Sequence, residues 1–154
     1  MRLWRISNHA DLSGEGGRLA AGRWNYLGRR VVYLAEHPAL ALLETLVHLE
    51  LDAEDLPDRY RLLTVEAPDD VSIAELSAGQ LDRDWPDWRS NAETTRSLAE
   101  GFFADAQHAL LRMPSALVPE ARNAMLNPAH PDARQFRIVS DVSAAFDPRL
   151  LGLR

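Results

Sequence analysis

The sequence predicts an α+β fold. Its strand-like runs neither alternate strictly with helical stretches nor cluster in one half, which disfavours a doubly wound parallel sheet. The chain has 154 residues, 46% apolar and 26% charged. That is long enough for a substantial core and ordinary for a globular protein. No internal repeat is visible, so residues 1–154 read as one domain.

The elements follow in order. Residues 2–6 alternate weakly and end in Ile6-Ser7, giving a first strand that contains Arg5. Residues 13–22 form a loop with four glycines, where positive φ and close backbone approach to a ligand are permitted; a flexible surface loop is the alternative. It is neither a dinucleotide fingerprint nor a phosphate loop with Lys-Ser/Thr. Tyr26-Leu27-Gly28 reads as a turn into a β-branched strand at 31–35 that holds Tyr33. Pro38 suits a first helical position, and the Ala- and Leu-rich run through Leu51 continues the helix.

Asp52–Asp58 is an acidic, proline-punctuated loop, and Tyr60–Glu66 is strand-like. After the break at Pro68, Val71–Leu76 reads as a short helical turn. Asp82–Trp88 is irregular and aromatic, its two tryptophans more suited to capping a core than to stacking a ligand. Ser90-Asn91-Ala92-Glu93 has the form of a capping box and opens a helix to about Ala109–Leu110. Met113–Pro119, Asn123–Leu126 and Phe136–Ser140 are three further strands, and Asp147–Arg154 is a tail.

Composition excludes several functions. With no cysteine there is no disulfide framework, thiolate nucleophile or zinc–thiolate site. Spaced His and carboxylate ligands are missing too, so no metal is expected; the lone His130 in Asn127-Pro128-Ala129-His130-Pro131 reads as turn chemistry. No apolar run approaches the ~20 residues of a membrane span, and residues 1–6 lack a signal-peptide core. A cytoplasmic location is the expectation. A formal charge of −6 disfavours nucleic-acid binding. The positive residues are all arginine and concentrate early, at Arg2, Arg5, Arg18, Arg23, Arg29 and Arg30. The arginine fork suits phosphate, although high-GC codon usage explains the bias equally well.

One carboxylate stands out. At ~100° per residue, Leu40, Leu43, Val47 and Leu51 share one helix face, and Leu42, Leu46 and Leu49 cover another. A helix apolar nearly all round is expected to be buried, and Glu44 lies at or near its buried side. An ionised carboxylate there is costly unless paired or hydrogen-bonded. Arg23 is a candidate partner, or both face a ligand; a plain structural pair with Arg or His is the alternative. His48, one turn along, reads as a packed or edge histidine.

Trp4-Arg5-Ile6, Gly22-Arg23-Trp24-Asn25, Val32-Tyr33-Leu34-Ala35-Glu36, Ala41-Leu42-Leu43-Glu44, Pro114-Ser115 and Leu126-Asn127-Pro128-Ala129-His130-Pro131, in that order, resemble the RES-domain family. The resemblance runs from about residue 4 to residue 140, and Ala21 replaces a frequent glycine. Its naming arginine, glutamate and serine match Arg23, Glu44 and Ser115. These are toxins paired with Xre-like helix-turn-helix antitoxins. The resemblance implies an ADP-ribosyltransferase-like fold, with two small, roughly perpendicular sheets around an NAD+ cleft. It also implies cleavage of the nicotinamide–ribose bond. ADP-ribose then passes to water or phosphate, or to a protein such as a phosphoribosyl-pyrophosphate synthetase.

Such cleavage develops an oxocarbenium-like ribose, and nicotinamide leaves without a general acid. On this reading Glu44 faces the developing cation and binds ribose hydroxyls. Arg5 and Arg23 hold diphosphate or ribose oxygens as bidentate donors. Tyr33 stacks on nicotinamide. Ser115 donates to ribose or orients Glu44, and Asn25 and Asn127 are lesser NAD+-binding candidates. The structural alternatives are a loop–core ion pair for Arg23, strand packing for Tyr33, a turn hydroxyl for Ser115 and an acidic-loop partner for Arg5. At the level of the chain, the alternative is a catalytically inactive nucleotide-binding module of the same fold.

Overall fold

A computed structural model describes residues 1–48 and 59–151. The acidic loop at 52–58, the helix end at 49–51 and the last three residues of the tail lie outside the described residues. The strands are β1 (Arg2–Ile6), β2 (Val32–Ala35), β3 (Arg59–Glu66), β4 (Ile73–Glu75), β5 (Leu110–Pro114), β6 (Arg122–Leu126) and β7 (Arg137–Ala145). The helices are α1 (Glu15–Leu19), α2 (Pro38–His48), α3 (Ala78–Asp84) and α4 (Ala92–Asp105). The class is α+β, with strand order β4-β5-β6-β2-β1-β3-β7. Two halves, β4-β5-β6-β2 and β1-β3-β7, meet where Trp4 pairs with Ala35.

Side-chain alternation along the strands builds two cores. Val32 and Leu34 of β2 and Ala124 and Leu126 of β6 join Leu3, Val65, Leu110 and Phe136 in one cluster. Met125 of β6 points the other way, into a cluster with Trp24, Leu111, Met113, Trp88, Ala99 and Phe103. Trp88 is fully buried there, as its loop predicts. Its indole N–H donates to Asp82 at 2.8 Å.

Six elements differ from the expectation. The glycine-rich segment contains a helical turn, α1, rather than loop throughout. Val71–Leu76 contains strand β4, not a helical turn, because Ile73–Glu75 pairs in parallel with Leu110–Arg112. Residues 78–84 are helical, capped by Ser77, whose side chain accepts from the Gln80 N–H. α4 is capped by Asn91 rather than Ser90 and stops at Ala106, in the left-handed region at φ 46°. The backbone then enters β5 at Leu110, so the strand expected at Met113–Pro119 lies earlier, and residues 115–121 form a turn.

The sixth concerns α2. Only Leu40 and Ala41 of this helix are buried, against Ala35, Trp4 and Ile6. Leu43 and Val47 are 42% and 57% exposed, so the helix is not buried all round. It packs by one face onto the junction of the two sheet halves. The adjoining stripe, Ala41, Glu44, Thr45 and His48, faces a cleft.

Candidate active site

The cleft has a volume of about 620 Å³, within the range of small-molecule and cofactor sites. The junction strands supply Trp4 and Arg5 from β1 and Tyr33 and Ala35 from β2. α2 supplies Glu44 and His48, β6 supplies Asn123, and the glycine-rich segment closes one side with Gly17, Gly22 and Asn25. A second hollow of about 460 Å³ around Met1, Asp69, Arg134 and Arg137 holds none of the sequence candidates.

Glu44 is held at one oxygen. Ser115 is buried, and its Oγ accepts from the N–H groups of Leu117 and Val118, each at 3.1 Å. A hydroxyl has two lone pairs and one proton. Both lone pairs are taken, so the proton goes to Glu44 Oε1, 2.8 Å away. Asn123 Nδ2 donates to the same oxygen at 2.5 Å. Oε2 remains on the side of His48, whose Nε2 is 4.0 Å away. The Glu44 side chain keeps 22% exposure, and Arg23 does not pair with it.

Tyr33 is tied at its hydroxyl. It donates to Asn25 Oδ1 at 2.8 Å and accepts from the Trp24 N–H at 3.0 Å. Burial pushes the phenol pKa well above its ordinary value. Asn25 is itself buried and saturated. Its Oδ1 also accepts from the Gly22 N–H at 2.9 Å, and its Nδ2 donates to the carbonyls of Gly17 and Tyr26 at 2.9 and 3.0 Å. Asn25 therefore knots the loop and leaves the ring of Tyr33 to line the cleft. Glycine is required at 22: a Cβ there lies 2.6 Å from Asn25 Oδ1 and 2.7 Å from the Tyr33 hydroxyl.

The two arginines differ. Arg5 lines the cleft, donates to the Asp11 carbonyl at 2.9 Å and has its pKa lowered by burial, with Asp11 opposing the shift. Among the described residues no carboxylate forms an ion pair with it, and the acidic loop at 52–58 that the alternative names lies outside them. Arg23 lies beside the cleft lining. Its Nη1 donates to the carbonyls of Arg89 at 2.9 Å and Trp88 at 3.4 Å. α4 grips the same loop: Arg96 donates to the Gly22 carbonyl at 2.8 Å, and Thr95 donates to the Arg23 carbonyl at 2.5 Å.

The structure thus brings Glu44, Ser115, Tyr33, Arg5 and Asn25 together, with Arg23 at the edge. Asn127 is apart. It is buried at the end of β6, its N–H bonds the Ala109 carbonyl, and its Oδ1 accepts from the Ala129 N–H at 3.1 Å. Sequence reasoning missed Asn123. Its signal was a polar residue in phase with Met125 on the strand read at 123–126.

The RES-domain family model matches residues 2–147. The chain belongs to the RES-domain family. It is 49% identical over 138 residues to a protein named Toxin Res from Pseudomonas putida strain KT2440, covering 90% of this chain and 92% of that protein. It is 38% identical over 157 residues to the Prs ADP-ribosylating toxin of Sphingobium sp. strain YBL2, covering 97% and 96%. Among solved structures, a chain of the M. tuberculosis MbcT–MbcA toxin–antitoxin complex superposes with TM-score 0.75 at 19% identity, covering 98% of this chain and 86% of that one. The RES fold is therefore shared with that chain.

Proposed function

We propose that this RES-domain chain, acting as one domain, is the toxin of a toxin–antitoxin pair. Its reaction breaks the nicotinamide–ribose bond of NAD+ and passes ADP-ribose to an acceptor. The observation that carries the reading is the carboxylate of Glu44, pinned at Oε1 and offered to a cleft that also holds Arg5 and Tyr33. The printed names of the two relatives support it, the second by naming ADP-ribosylation.

Each residue has a role in that reaction. Nicotinamide lies on the Tyr33 ring, which supplies a flat apolar face. Glu44 Oε2 meets the ribose hydroxyls and the positive charge that grows at C1′ as the bond breaks. In a partly dry cleft that attraction is stronger than in water. The bonding electrons leave with nicotinamide, which departs neutral. Arg5 binds the diphosphate. Arg23 joins it by exchanging two neutral carbonyl acceptors for an anion, since charge-assisted hydrogen bonds are roughly twice as strong. Ser115 orients Glu44 and Asn25 orients Tyr33, whereas the position of Asn127 supports a structural part.

A protein acceptor, such as a phosphoribosyl-pyrophosphate synthetase, is the reading favoured by the second relative's name. Water or phosphate as acceptor would deplete NAD+ instead. The partner is an Xre-like antitoxin that covers the cleft, and the compartment is the cytoplasm. No helix among the described residues is long and apolar enough to cross a membrane.

The test is incubation of purified protein with adenine-labelled NAD+ and a cell extract. The expected result is free nicotinamide, with label in one defined protein for transfer, or in ADP-ribose or its phosphate for depletion. Tight NAD+ binding without nicotinamide release at high protein concentration would instead establish an inactive nucleotide-binding module.

A further inference from the structure

We infer that Asn123 is a positioning residue for Glu44, setting which carboxylate oxygen the cleft presents. The inference rests on the reading of Glu44 given above. Asn123 sits in β6, opposite Met113 of β5 and Ala35 of β2. It shares a strand face with Met125, which is fully buried. An amide in that phase is costly unless its polar atoms are used. Among the described residues its one side-chain hydrogen bond goes to Glu44, 79 residues away in sequence.

The polarity of the contact is set by Glu44. An ionised carboxylate only accepts, so the amide must turn its Nδ2 toward Oε1. Glu44 comes from a helix that packs by one face only, on a long side chain with several torsions. Ser115 supplies one donor to Oε1, and one donor leaves the carboxylate free to rotate about that bond. A second donor from a paired strand, arriving at the same oxygen, removes that rotation. Oε2 is then directed to the side where His48 of α2, Arg5 of β1 and Tyr33 of β2 line the cleft. Without Asn123, the carboxylate is free to turn about its remaining bond to Ser115, and Oε2 loses that direction.

The experiment uses the full chain with Asn123→Leu and Asn123→Asp, both close in size to asparagine. Nicotinamide release gives kcat and KM, and thermal unfolding of each variant is measured with and without Glu44→Ala. Asn123→Leu is expected to lower kcat about tenfold or more with KM within about threefold. Asn123→Asp is expected to lower kcat further at neutral pH, because it sets a like charge against Oε1. The unfolding shifts of Asn123→Leu and Glu44→Ala are expected to be non-additive, as for residues in contact. Wild-type kcat in Asn123→Leu, or additive unfolding shifts, overturns the inference. If the wild-type chain releases no nicotinamide, the proposed reaction fails on its own. The unfolding cycle then decides the Asn123–Glu44 contact independently.

Discussion

The Tyr33 hydroxyl donates to Asn25 Oδ1 at 2.8 Å, so the ring that walls the cleft is fastened to the loop that closes it. The same hydroxyl accepts from the Trp24 N–H. Tyr33→Phe is expected to destabilise the fold by about 1–3 kcal/mol, since a buried N–H loses its partner. The ring face remains, so the proposed nicotinamide contact persists and kcat falls less than in Tyr33→Ala. Thermal unfolding and nicotinamide release on both variants check this.

Gly22 and Gly101 make a contrasting pair. A Cβ at 22 collides with both ends of the Asn25–Tyr33 bond, whereas a Cβ at 101 meets nothing within 4 Å. Gly22→Ala is expected to break the knot and reduce NAD+ turnover by at least about tenfold. Gly101→Ala, inside α4, is expected to stabilise the chain by about 0.5–1 kcal/mol and leave turnover alone. Melting temperatures and initial rates separate the two.

Arg5 lines the cleft with no carboxylate ion pair among the described residues. Arg5→Gln is expected to raise KM for NAD+ about tenfold or more, the scale of one charge-assisted hydrogen bond, with a smaller effect on kcat. Arg5→Lys keeps the charge but not the fork and falls between. Equal KM in all three proteins removes Arg5 from NAD+ binding.

Stability should decline at both ends of the pH scale. Burial raises the Tyr33 phenol above its unfolded value, so its contribution is complete below about pH 10 and is lost as pH rises further. Asp141 and Asp82 are held below the usual carboxyl range, the first by Arg61 and the second by Arg89 and Trp88. Their contribution is present above about pH 4 and is lost as pH falls through their lowered values. Unfolding temperature against pH checks both limbs, and Tyr33→Phe should flatten the alkaline one.

Glu44 was legible in the sequence because a single carboxylate among leucines is a local anomaly. Ser115 was legible as a donor that could orient it, but nothing local marked Asn123 as the second donor. Ser115 and Asn123 are 71 and 79 residues away, and only the register of β5 and β6 against β2 brings them there. The burial of α2 was over-read because leucine content does not say which face finds a partner. α1 escaped notice because two of its five residues are glycine, a poor helix former. β4 is only three residues long and becomes a strand through its parallel pairing with β5. Arg23 was identified as a residue but not in its setting, since the Trp88–Arg89 carbonyls it holds belong to a loop read as irregular.

The most direct measurement compares nicotinamide release from NAD+ by the wild-type chain and by Glu44→Gln, which preserves shape and removes the charge. The wild-type chain is expected to turn over, and the variant to fall by about two orders of magnitude or more with little change in unfolding temperature. Release by Glu44→Gln at the wild-type rate would contradict the account.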